Sequence, residues 1–524
     1  MKYLITFDTD IVRQEQSSEW KVEKVLTLGS NLFADLSNLP MENESVFFIP
    51  TVLDYNNSLS YSGVSIALRI LMKHLRSGIT SIDVVLMGNE SESNFLLHYD
   101  YPNILKIPGL HYIRFNKKTV ASYEISQREQ LQAKEYKPYL DNLGLKIPSS
   151  FKSTHSLTNE WCLYKWNSFM GFNENTSSLE GHLYFEYLIT IEKLCSTRNK
   201  TVTDLLKERI ANYPSSRILV VDDNAGWHSF FKDMFSNADK VDIHCIGEDF
   251  NKLEFEDIEK RIVNEVNDFK PHVIILDFRL MEDKDDQIKD NMKQISGYRV
   301  LAKALKGSFN KPLESFGRQV IIFTATSRIE NILLLKEGNA DGFILKEKPD
   351  NYQGKEITKD AISKMVYTLE RALERAEFLI KLNGKINELN STSLEIEPRL
   401  NDTIRTVSES VRLMTQSNDI NEGVLKLTYL NIFSILEYIK SSNSIKIKIN
   451  DYIQSTAPNE ILKDWNNIDN VRNALAHGDK KVKIDNREQL LSIDLMKDWA
   501  LKLCDFIKAY INHKIISKVN GRHS

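Results

Sequence analysis

Four short segments in the middle of the chain each place a polar residue at the end of an apolar run. They are Val221-Asp222-Asp223-Asn224, Ile275-Leu276-Asp277, Ile322-Phe323-Thr324-Ala325 and Phe343-Ile344-Leu345-Lys346. In an open α/β sheet, the carboxyl ends of the strands form the ligand crevice. The sequence therefore predicts that three carboxylates, a hydroxyl and an amine converge at one edge of a sheet. That set of groups suits a divalent cation and a phosphoryl group.

The predicted roles of the charged residues follow from their chemistry. Mg²⁺ prefers oxygen ligands in octahedral geometry, so at least one of Asp222 and Asp223 should reach a metal ion. Asp277 is placed as the nucleophile, because a carboxylate that attacks phosphorus gives an acyl phosphate. Lys346 supplies an amine that would neutralise phosphoryl oxygens in the transition state. The segments thus predict a phosphorylation site.

Thr324 and Phe343 are the predicted moving parts of this site. The Thr324 hydroxyl can bond to a phosphoryl oxygen and follow it when that group is present. Phe343 lies three residues before Lys346 and can move together with Thr324. Residues that respond to a phosphoryl group in this way form a switch.

Residues 217–350 resemble the receiver domain of two-component response regulators. The acidic pair, the acceptor Asp, the Thr-Ala pair and the Lys occur in the order that this family uses. The resemblance implies a doubly wound (βα)5 fold and a histidine kinase that donates a phosphoryl group to Asp277. It also assigns Mg²⁺ to Asp222, Asp223, Asp277 and the backbone carbonyl of Arg279.

The segment departs from the receiver pattern in two places. A receiver Lys is usually followed directly by Pro, whereas the order here is Lys346-Glu347-Lys348-Pro349. Lys348 is therefore a rival for the role of Lys346. The loop after Asp277 also holds a polar, acidic insertion, Met281–Gln294, which could cover the site, slow dephosphorylation or select a partner.

A second chemical signal, Val471-Arg472-Asn473-Ala474-Leu475-Ala476-His477-Gly478, lies near the end of the chain. His477 can exchange protons near neutral pH, Arg472 can hold a phosphate bidentately, and Asn473 can orient either group. These roles suit RNA cleavage by a 2′-hydroxyl without a metal ion. Five residues turn an ideal helix by roughly 140°, so the helix must end by His477 or a second copy must complete the site. Alternatively, His477 only lies near a helix C-terminus.

Residues 395–515 resemble the HEPN ribonuclease superfamily, which consists of helical domains with an Arg-x4-6-His motif. The resemblance implies a helical bundle and a homodimer formed through the C-terminal domain. It also implies metal-independent endoribonuclease activity, in settings such as phage defence or stress response. Glu437 or Asn431 on the preceding helix could complete the pocket. The run Lys480-Lys481-Val482-Lys483 and Arg487 could steer RNA, although such a run also suits a solvated surface.

The composition of the chain limits the classes of protein to which these sites can belong. The chain has 524 residues, 42% apolar and 27% charged, with a formal net charge of −4, so it offers no global attraction for nucleic acid. The four cysteines are scattered and form no CxxC pair, which argues against a zinc site or a disulfide framework. The acidic N-terminus does not resemble a signal peptide, and no run approaches the ~18 apolar residues of a membrane span. We expect a cytoplasmic protein without membrane contact.

The predicted architecture is multidomain, with α/β domains followed by an all-α region. We expect a degenerate receiver-like α/β domain, a mainly helical region with an aromatic core, the receiver domain, a connecting amphipathic helix and a HEPN-like helical domain. These cover, in order, residues 1–120, 121–212, 213–351, 352–394 and 395–524. The connecting helix could serve as a dimer helix or pack on the next domain.

An internal repeat predicts that the first α/β domain is a weaker copy of the second. Ser62–Leu71 resembles Ser296–Leu305, and Leu53-Asp54-Tyr55 precedes the first as Leu276-Asp277-Phe278 precedes the second. The first copy has Gly88 in place of Thr324 and Thr9 in place of Asp223. We therefore expect it to sense or dock rather than to be phosphorylated at Asp54. Two α/β domains could also share such patterns by chance.

Taken together, the sequence predicts a phosphorylation-regulated response regulator with a HEPN endoribonuclease output. The alternative is a non-enzymatic phospho-dependent signalling adaptor with a helical dimerisation domain. A transcriptional regulator ranks last, because no basic recognition helix is evident.

Overall fold

The computed structural model describes most of the chain and divides it into two compact units. The first unit comprises residues 1–203 and 347–360, and the second comprises 204–346 and 361–524. The described residues are 1–6, 24–27, 39, 42–52, 62–99, 101–124, 131–145, 155–173, 179, 182–194, 200–285, 288, 291–306, 317–325, 329–349, 355–393, 400–416, 420, 422–442 and 447–520.

The first unit contains a five-stranded, all-parallel sheet. Its strands are β1 (Lys2–Thr6), β2 (Lys24–Thr27), β3 (Val46–Pro50), β4 (Asp83–Gly88) and β5 (Leu110–Arg114). They are arranged in the order β2-β1-β3-β4-β5. The apolar runs of β3 and β4 are almost wholly buried, as expected for central strands of a parallel sheet covered on both faces.

Short and long helices surround the first sheet. They are α1 (Ser62–Arg76), α2 (Glu92–His98), α3 (Lys117–Ser122), α4 (Lys137–Asp141), α5 (His155–Met170) and α6 (Leu183–Leu194), with single 3₁₀ turns at Ile104–Lys106 and Ala133–Tyr136. Arg69 of α1 forms a buried ion pair with Glu186 of α6, at 2.6 Å. Trp161, Tyr164 and Phe185 are buried together, so the aromatic cluster is a local core.

The second unit begins within α7 (Lys200–Ala211) and contains another five-stranded parallel sheet. Its strands are β6 (Ser216–Val221), β7 (Val241–Ile246), β8 (Val273–Asp277), β9 (Gln319–Thr324) and β10 (Gly342–Leu345). The order β10-β9-β8-β6-β7 is the arrangement of the first sheet repeated with the next five strands. This 2-1-3-4-5 order is one of the common doubly wound topologies. The predicted α/β fold is confirmed, and the two sheets share one topology.

Helices connect the strands of the second sheet. They are α8 (Ala225–Phe235), α9 (Phe255–Phe269), α10 (Glu282–Asp285), α11 (Ser296–Arg299), which continues as a π-helical segment (Val300–Leu305), and α12 (Ile329–Glu337). The 3₁₀ turns are Phe250–Lys252 and Met292–Gln294. The acidic insertion after Asp277 contains α10, and buried Asp285 ties it down by accepting hydrogen bonds from Ser296.

A long helix, α13 (Lys355–Ser393), leads into the C-terminal helical region. The helices that follow are α14 (Leu400–Gln416), α15 (Glu422–Ser442), α16 (Ile449–Thr456), α17 (Asn459–Leu462), α18 (Trp465–His477) and α19 (Ile493–Asn520). The apolar face of α13 from Phe378 to Leu389 is buried in the core that these helices form. The helix therefore connects by packing on the next domain.

The C-terminal region is mainly helical as predicted, but it is not all-α, because residues 481–490 form two strands. A two-stranded antiparallel hairpin, β11 (Lys481–Ile484) and β12 (Arg487–Leu490), follows α18. Its turn residues Asp485 and Asn486 have φ angles of 48° and 65°. Two consecutive positive φ angles are what a type I′ hairpin turn requires.

Among the described helices, none has the length and apolar character needed to cross a membrane.

Candidate functional site

The predicted acidic residues meet at the carboxyl edge of the second sheet. Asp222 and Asp223 follow β6, and Asp277 is the last residue of the neighbouring β8. One carboxylate oxygen from each lies within 4.8 Å of those of the other two. Asp222 and Asp277 are buried and Asp223 is partly exposed, so the cluster opens to solvent on the Asp223 side. The structure thus brings together the three carboxylates that the sequence singled out.

The environment of Asp222 keeps its carboxylate in place but disfavours its charge. The backbone N–H of Asn224 donates to Asp222 Oδ1 at 2.9 Å. Burial, which is the largest influence, raises the pKa of Asp222 from 3.8 to about 7, with a smaller contribution from Asp277, while Lys346 opposes the shift. Three carboxylates face one ammonium here, so the site carries an excess of negative charge. Buried charge of this kind is expensive unless it is paired or coordinates a metal.

Lys346 reaches both buried carboxylates. Its Nζ lies 3.0 Å from Asp277 Oδ1 and 3.3 Å from Asp222 Oδ2. The ammonium also lies over the rings of Phe323 and Trp227, at 4.3 and 5.2 Å from their centroids. Aromatic faces attract a cation, so these rings help hold a buried lysine. Of the two lysines left open by the sequence, Lys346 is the one that contacts the acceptor candidate.

The predicted switch residues lie on two adjacent strands, β9 and the edge strand β10. Thr324 ends β9 and is buried, and its carbonyl accepts a hydrogen bond from the backbone N–H of Lys346 at 2.8 Å. Phe343 lies on β10 opposite Ile322 and is partly buried. The backbone N–H of Arg279 donates to Asp277 Oδ2 at 3.4 Å, which puts this residue beside the acceptor. Coupled movement of Thr324 and Phe343 stays a prediction.

Two glycines allow the backbone to close around the carboxylates. A Cβ on Gly297, at the start of α11, would lie 2.4 Å from the Asp277 carbonyl oxygen and 2.5 Å from that of Phe278. A Cβ on Gly247 would lie 2.2 Å from the Asp222 carbonyl oxygen, and its φ of 132° also favours glycine. Any other residue at either position would push a strand end away.

The donor set fits a magnesium ion. Hard oxygen ligands from two or three carboxylates, together with open space on the Asp223 side, are what Mg²⁺ uses when it also keeps waters and phosphate oxygens. The net negative charge and the raised pKa of Asp222 are what a divalent cation would relieve. The identity of the metal and the ligand role of the Arg279 carbonyl stay predictions.

The first sheet lacks part of this set where it is described. Gly88 ends β4, the position that Thr324 occupies at the end of β9, and Arg114 ends β5. A Cβ on Gly88 would lie 2.0 Å from the Tyr112 hydroxyl oxygen, so that ring fills the space a side chain would need. Asp54 and Thr9 lie outside the described residues.

The C-terminal motif forms a polar network on α18. Arg472 Nη1 donates to Asn473 Oδ1 at 2.9 Å, and its Nη2 lies 3.1 Å from Glu437 Oε1 on α15. Asn473 donates to Asp469 at 3.2 Å, and the Arg472 guanidinium lies 5.3 Å from the ring centre of Phe433. Of the two residues left open on the preceding helix, Glu437 makes a hydrogen bond to the motif.

His477 is the last residue of α18 and is exposed. Gly478 caps the helix with a φ of 73°, and the N–H groups of Gly478 and Asp479 both return to the Ala474 carbonyl. Arg472 and His477 therefore both lie within the helix, so the turn of roughly 140° between them remains, and completion of the site by a second copy is the alternative that stays a prediction. Within the described residues, the His477 ring makes no hydrogen bond or ion pair, so nothing there orients it.

The exposure of the basic run Lys480–Lys483 follows from the alternation of side chains along β11 of the hairpin. Lys481 and Lys483 point outward on β11, whereas Val482 and Ile484 are buried in the helical core. Lys481 pairs with Glu488 across the hairpin at 2.9 Å. The hairpin is fixed to α18 by two hydrogen bonds between Asn467 and Asp485. The lysines are therefore held on a defined surface next to the motif.

Sequence reasoning missed the residues that support the carboxylates. His228 Nε2 lies 2.8 Å from the Asp222 carbonyl oxygen, and Asn251 Nδ2 donates to Asp223 at 3.3 Å. Asn224 caps α8 by accepting from the Gly226 N–H. Only Asn224 left a signal, since Asn directly before an amphipathic run is a favoured N-cap. Contacts of His228 and Asn251 depend on tertiary packing.

Comparisons with known proteins add little to this geometry. No protein-family model matches the chain, and no characterised protein matches its sequence. One solved structure, described as a two-component system response regulator/GGDEF domain protein, aligns with 71% of this chain and 99% of its own length. The aligned residues are 10% identical and the TM-score is 0.21, which is too low to support an argument.

Proposed function

We propose that this protein is a response regulator whose receiver domain accepts a phosphoryl group on Asp277. The observation that carries the proposal is the cluster of Asp222, Asp223, Asp277 and Lys346 at the carboxyl edge of a 2-1-3-4-5 sheet. A histidine kinase is the proposed donor, in the cytoplasm. The kinase and the cytoplasmic location both rest on the resemblance to receiver domains.

The residues of the site divide the work of phosphoryl transfer. An oxygen of Asp277 attacks phosphorus and the P–N bond to the donor histidine breaks, so an acyl phosphate forms and the histidine keeps the bonding pair. The Lys346 ammonium, already 3.0 Å from Asp277, stabilises charge on the transferred group. Bound Mg²⁺ supplies further neutralisation of the phosphoryl oxygens. The Thr324 hydroxyl then bonds to the group and Phe343 responds.

The test of this proposal is covalent labelling with acetyl phosphate and Mg²⁺. We expect wild-type protein to gain the mass of one phosphoryl group, in a form that hydroxylamine removes. Asp277→Asn should gain none, whereas Asp242→Asn, an exposed carboxylate on β7, should label as wild type does. An unlabelled wild type that also fails to bind beryllofluoride with Mg²⁺ would overturn the proposal.

We further propose a metal-independent endoribonuclease output at Arg472, Asn473 and His477. Two observations favour it: Arg472 is oriented by Asn473 and Glu437, and the exposed lysines of β11 lie next to the motif. Arg472 would bind the scissile phosphate and His477 would transfer protons. A homodimer through the C-terminal domain would supply a second His477, so that one acts as base and the other as acid.

A non-enzymatic signalling adaptor is the second candidate. It is favoured by the exposure of His477, whose ring nothing in the described part of the chain orients. Purified protein incubated with RNA separates the two candidates: cleavage that His477→Ala abolishes supports the nuclease, and its absence supports the adaptor. A role in phage defence or stress response rests on the HEPN resemblance.

A further inference from the structure

A cavity of about 630 Å³ lies in the second unit beside β10, and of the residues given a role so far only Phe343 lines it. Its walls are Gly342 and Phe343 of β10, Arg371 and Arg375 of α13, and Ile493 and Lys497 of α19. Pockets that bind small molecules typically measure roughly 300–1,000 Å³. The cavity therefore has the size of a ligand site, and three different parts of the unit contribute to it.

Charge in the cavity favours an anion. Four cationic side chains line it, against the two carboxylates of Asp341 and Glu374; the cations are Lys336, Arg371, Arg375 and Lys497. The carboxylate of Asp341 already has partners within the protein, because Lys306 pairs with it at 2.5 Å and the Val320 N–H donates to it at 2.7 Å. Lys497 is likewise paired, with Asp494 at 3.2 Å. Lys336, Arg371 and Arg375 against Glu374 still leave the lining with a positive excess.

Arg375 is the central cation of the cavity. It is only 6% exposed, and its Nη2 donates to the Met414 carbonyl at 3.1 Å. Burial lowers its pKa, the carboxylate of Asp341 opposes that shift, and the positive charge of nearby Arg371 adds a smaller lowering. Two guanidinium groups next to each other in a partly buried space repel, and a bound anion would remove that repulsion. Arginine pairs also bind phosphate oxygens with defined geometry.

The remaining walls suit a flat or apolar body. Tyr367 presents a ring that is 48% exposed, with the Arg371 guanidinium 5.4 Å from its centroid. Ile321 and Ile493 add apolar surface. A Cβ on Gly342 would lie 2.8 Å from Ile321 Cδ1, so glycine leaves this wall uncrowded. A ligand that combines an anionic end with an aromatic body would match both parts of the lining.

We propose that this cavity binds a nucleotide-sized phosphorylated small molecule, with Arg371 and Arg375 on its phosphate and Tyr367 and Ile493 beside its body. The site is separate from the carboxylate cluster and from the Arg472 motif, so it stands whether or not either proposed reaction occurs. Because Phe343 and α19 both line it, a bound ligand would contact the sheet domain and the helical domain at once.

The test is calorimetry on the full chain with the four common ribonucleoside diphosphates, in EDTA so that the carboxylate cluster holds no metal. We expect at least one to bind saturably, with the parent nucleoside failing to compete. Arg371→Gln changes an exposed side chain and should weaken binding roughly tenfold to a hundredfold, since a charge-assisted contact is lost.

Arg405→Gln is the matched control, because Arg405 is an exposed arginine on α14 outside the cavity lining. It should bind as wild type does. Thr368→Phe, which adds bulk to the cavity wall, should weaken binding while thermal melting confirms a folded protein. Absence of saturable binding for all four nucleotides would overturn the proposal, and so would equal affinity in Arg371→Gln and wild type.

Discussion

Lys346 and Asp277 form a buried ion pair, with Nζ 3.0 Å from Oδ1 and neither side chain exposed to solvent. Asp277 is the last residue of β8 and Lys346 directly follows β10, and β9 lies between these two strands in the sheet. The amine is therefore in place before any phosphoryl group arrives. Preorganised charge of this kind needs no rearrangement at the moment of reaction.

Replacing Lys346 tests whether this preorganisation matters. We predict that Lys346→Met loses most of the thermal stabilisation that beryllofluoride and Mg²⁺ give to wild type, because the bound group loses its ammonium partner. Lys348→Met, which changes the rival lysine two residues later, should keep that stabilisation. If thermal scans showed that Lys348→Met loses this stabilisation and Lys346→Met keeps it, the role would belong to Lys348.

Asp222 should make the magnesium response depend on pH. Its pKa of about 7 in the folded protein, against 3.8 ordinarily, means that the folded chain holds a proton there which the unfolded chain has released. Without metal, the free energy of unfolding therefore falls as pH rises from about 4 to about 7. Above that range the ionised carboxylate is open to a cation.

We accordingly predict that Mg²⁺ raises Tm more at about pH 8 than at about pH 6. Thermal scans with and without the ion at both pH values make the measurement. Asp222→Asn, which cannot ionise, should lose the difference. A shift in wild type that is the same at both pH values would show that this carboxylate does not control metal binding.

Asn486 tests the hairpin that carries the basic run. Its φ of 65° is costly for most side chains and tolerated by Asn and Gly. We predict that Asn486→Ala lowers the free energy of unfolding of the C-terminal region by about 1 kcal/mol, whereas Asn486→Gly leaves it nearly unchanged. Denaturant unfolding compares the two variants, and equal stability would contradict the strained turn.

His477 should affect chemistry without affecting the fold. It is exposed and makes no polar contact among the described residues, so His477→Ala should leave Tm close to wild type. If the ring transfers protons, the rate of RNA cleavage should fall by about 100-fold or more. His513→Ala, a second histidine in the same region, serves as the control. An unchanged rate in His477→Ala would remove this residue from the mechanism.

Most strands of the second sheet could be predicted from the sequence because they are apolar runs bounded by a polar residue. Strands β6, β8, β9 and β10 are apolar runs that end in, or are followed directly by, a polar residue of distinct chemistry, whereas β7 carries no such signal and was missed. The doubly wound topology was implied by the resemblance to receiver domains. The alternative in which His477 lies near a helix C-terminus agrees with the structure, where Gly478 supplies the C-cap of α18. The shared order of the two sheets also agrees with the predicted repeat.

What sequence reasoning missed depends on short elements and tertiary contacts. Strands β2 and β11 have only four residues each, too few for a clear alternating pattern. The contact of Glu437 with Arg472 spans 35 residues, and the cavity walls come from parts of the chain more than 100 residues apart. No local pattern encodes such contacts.

The two proposed activities are linked if a phosphoryl group on Asp277 controls RNA cleavage at Arg472 and His477. The most direct measurement is the rate of RNA cleavage by the full chain, with and without acetyl phosphate and Mg²⁺, for wild type, Asp277→Asn and His477→Ala. We expect wild type to cleave RNA at a rate that the phosphodonor changes, Asp277→Asn to cleave at a rate insensitive to the donor, and His477→Ala to cleave at about one-hundredth of the wild-type rate or less. No cleavage under any condition, or a donor effect that persists in Asp277→Asn, would contradict this expectation.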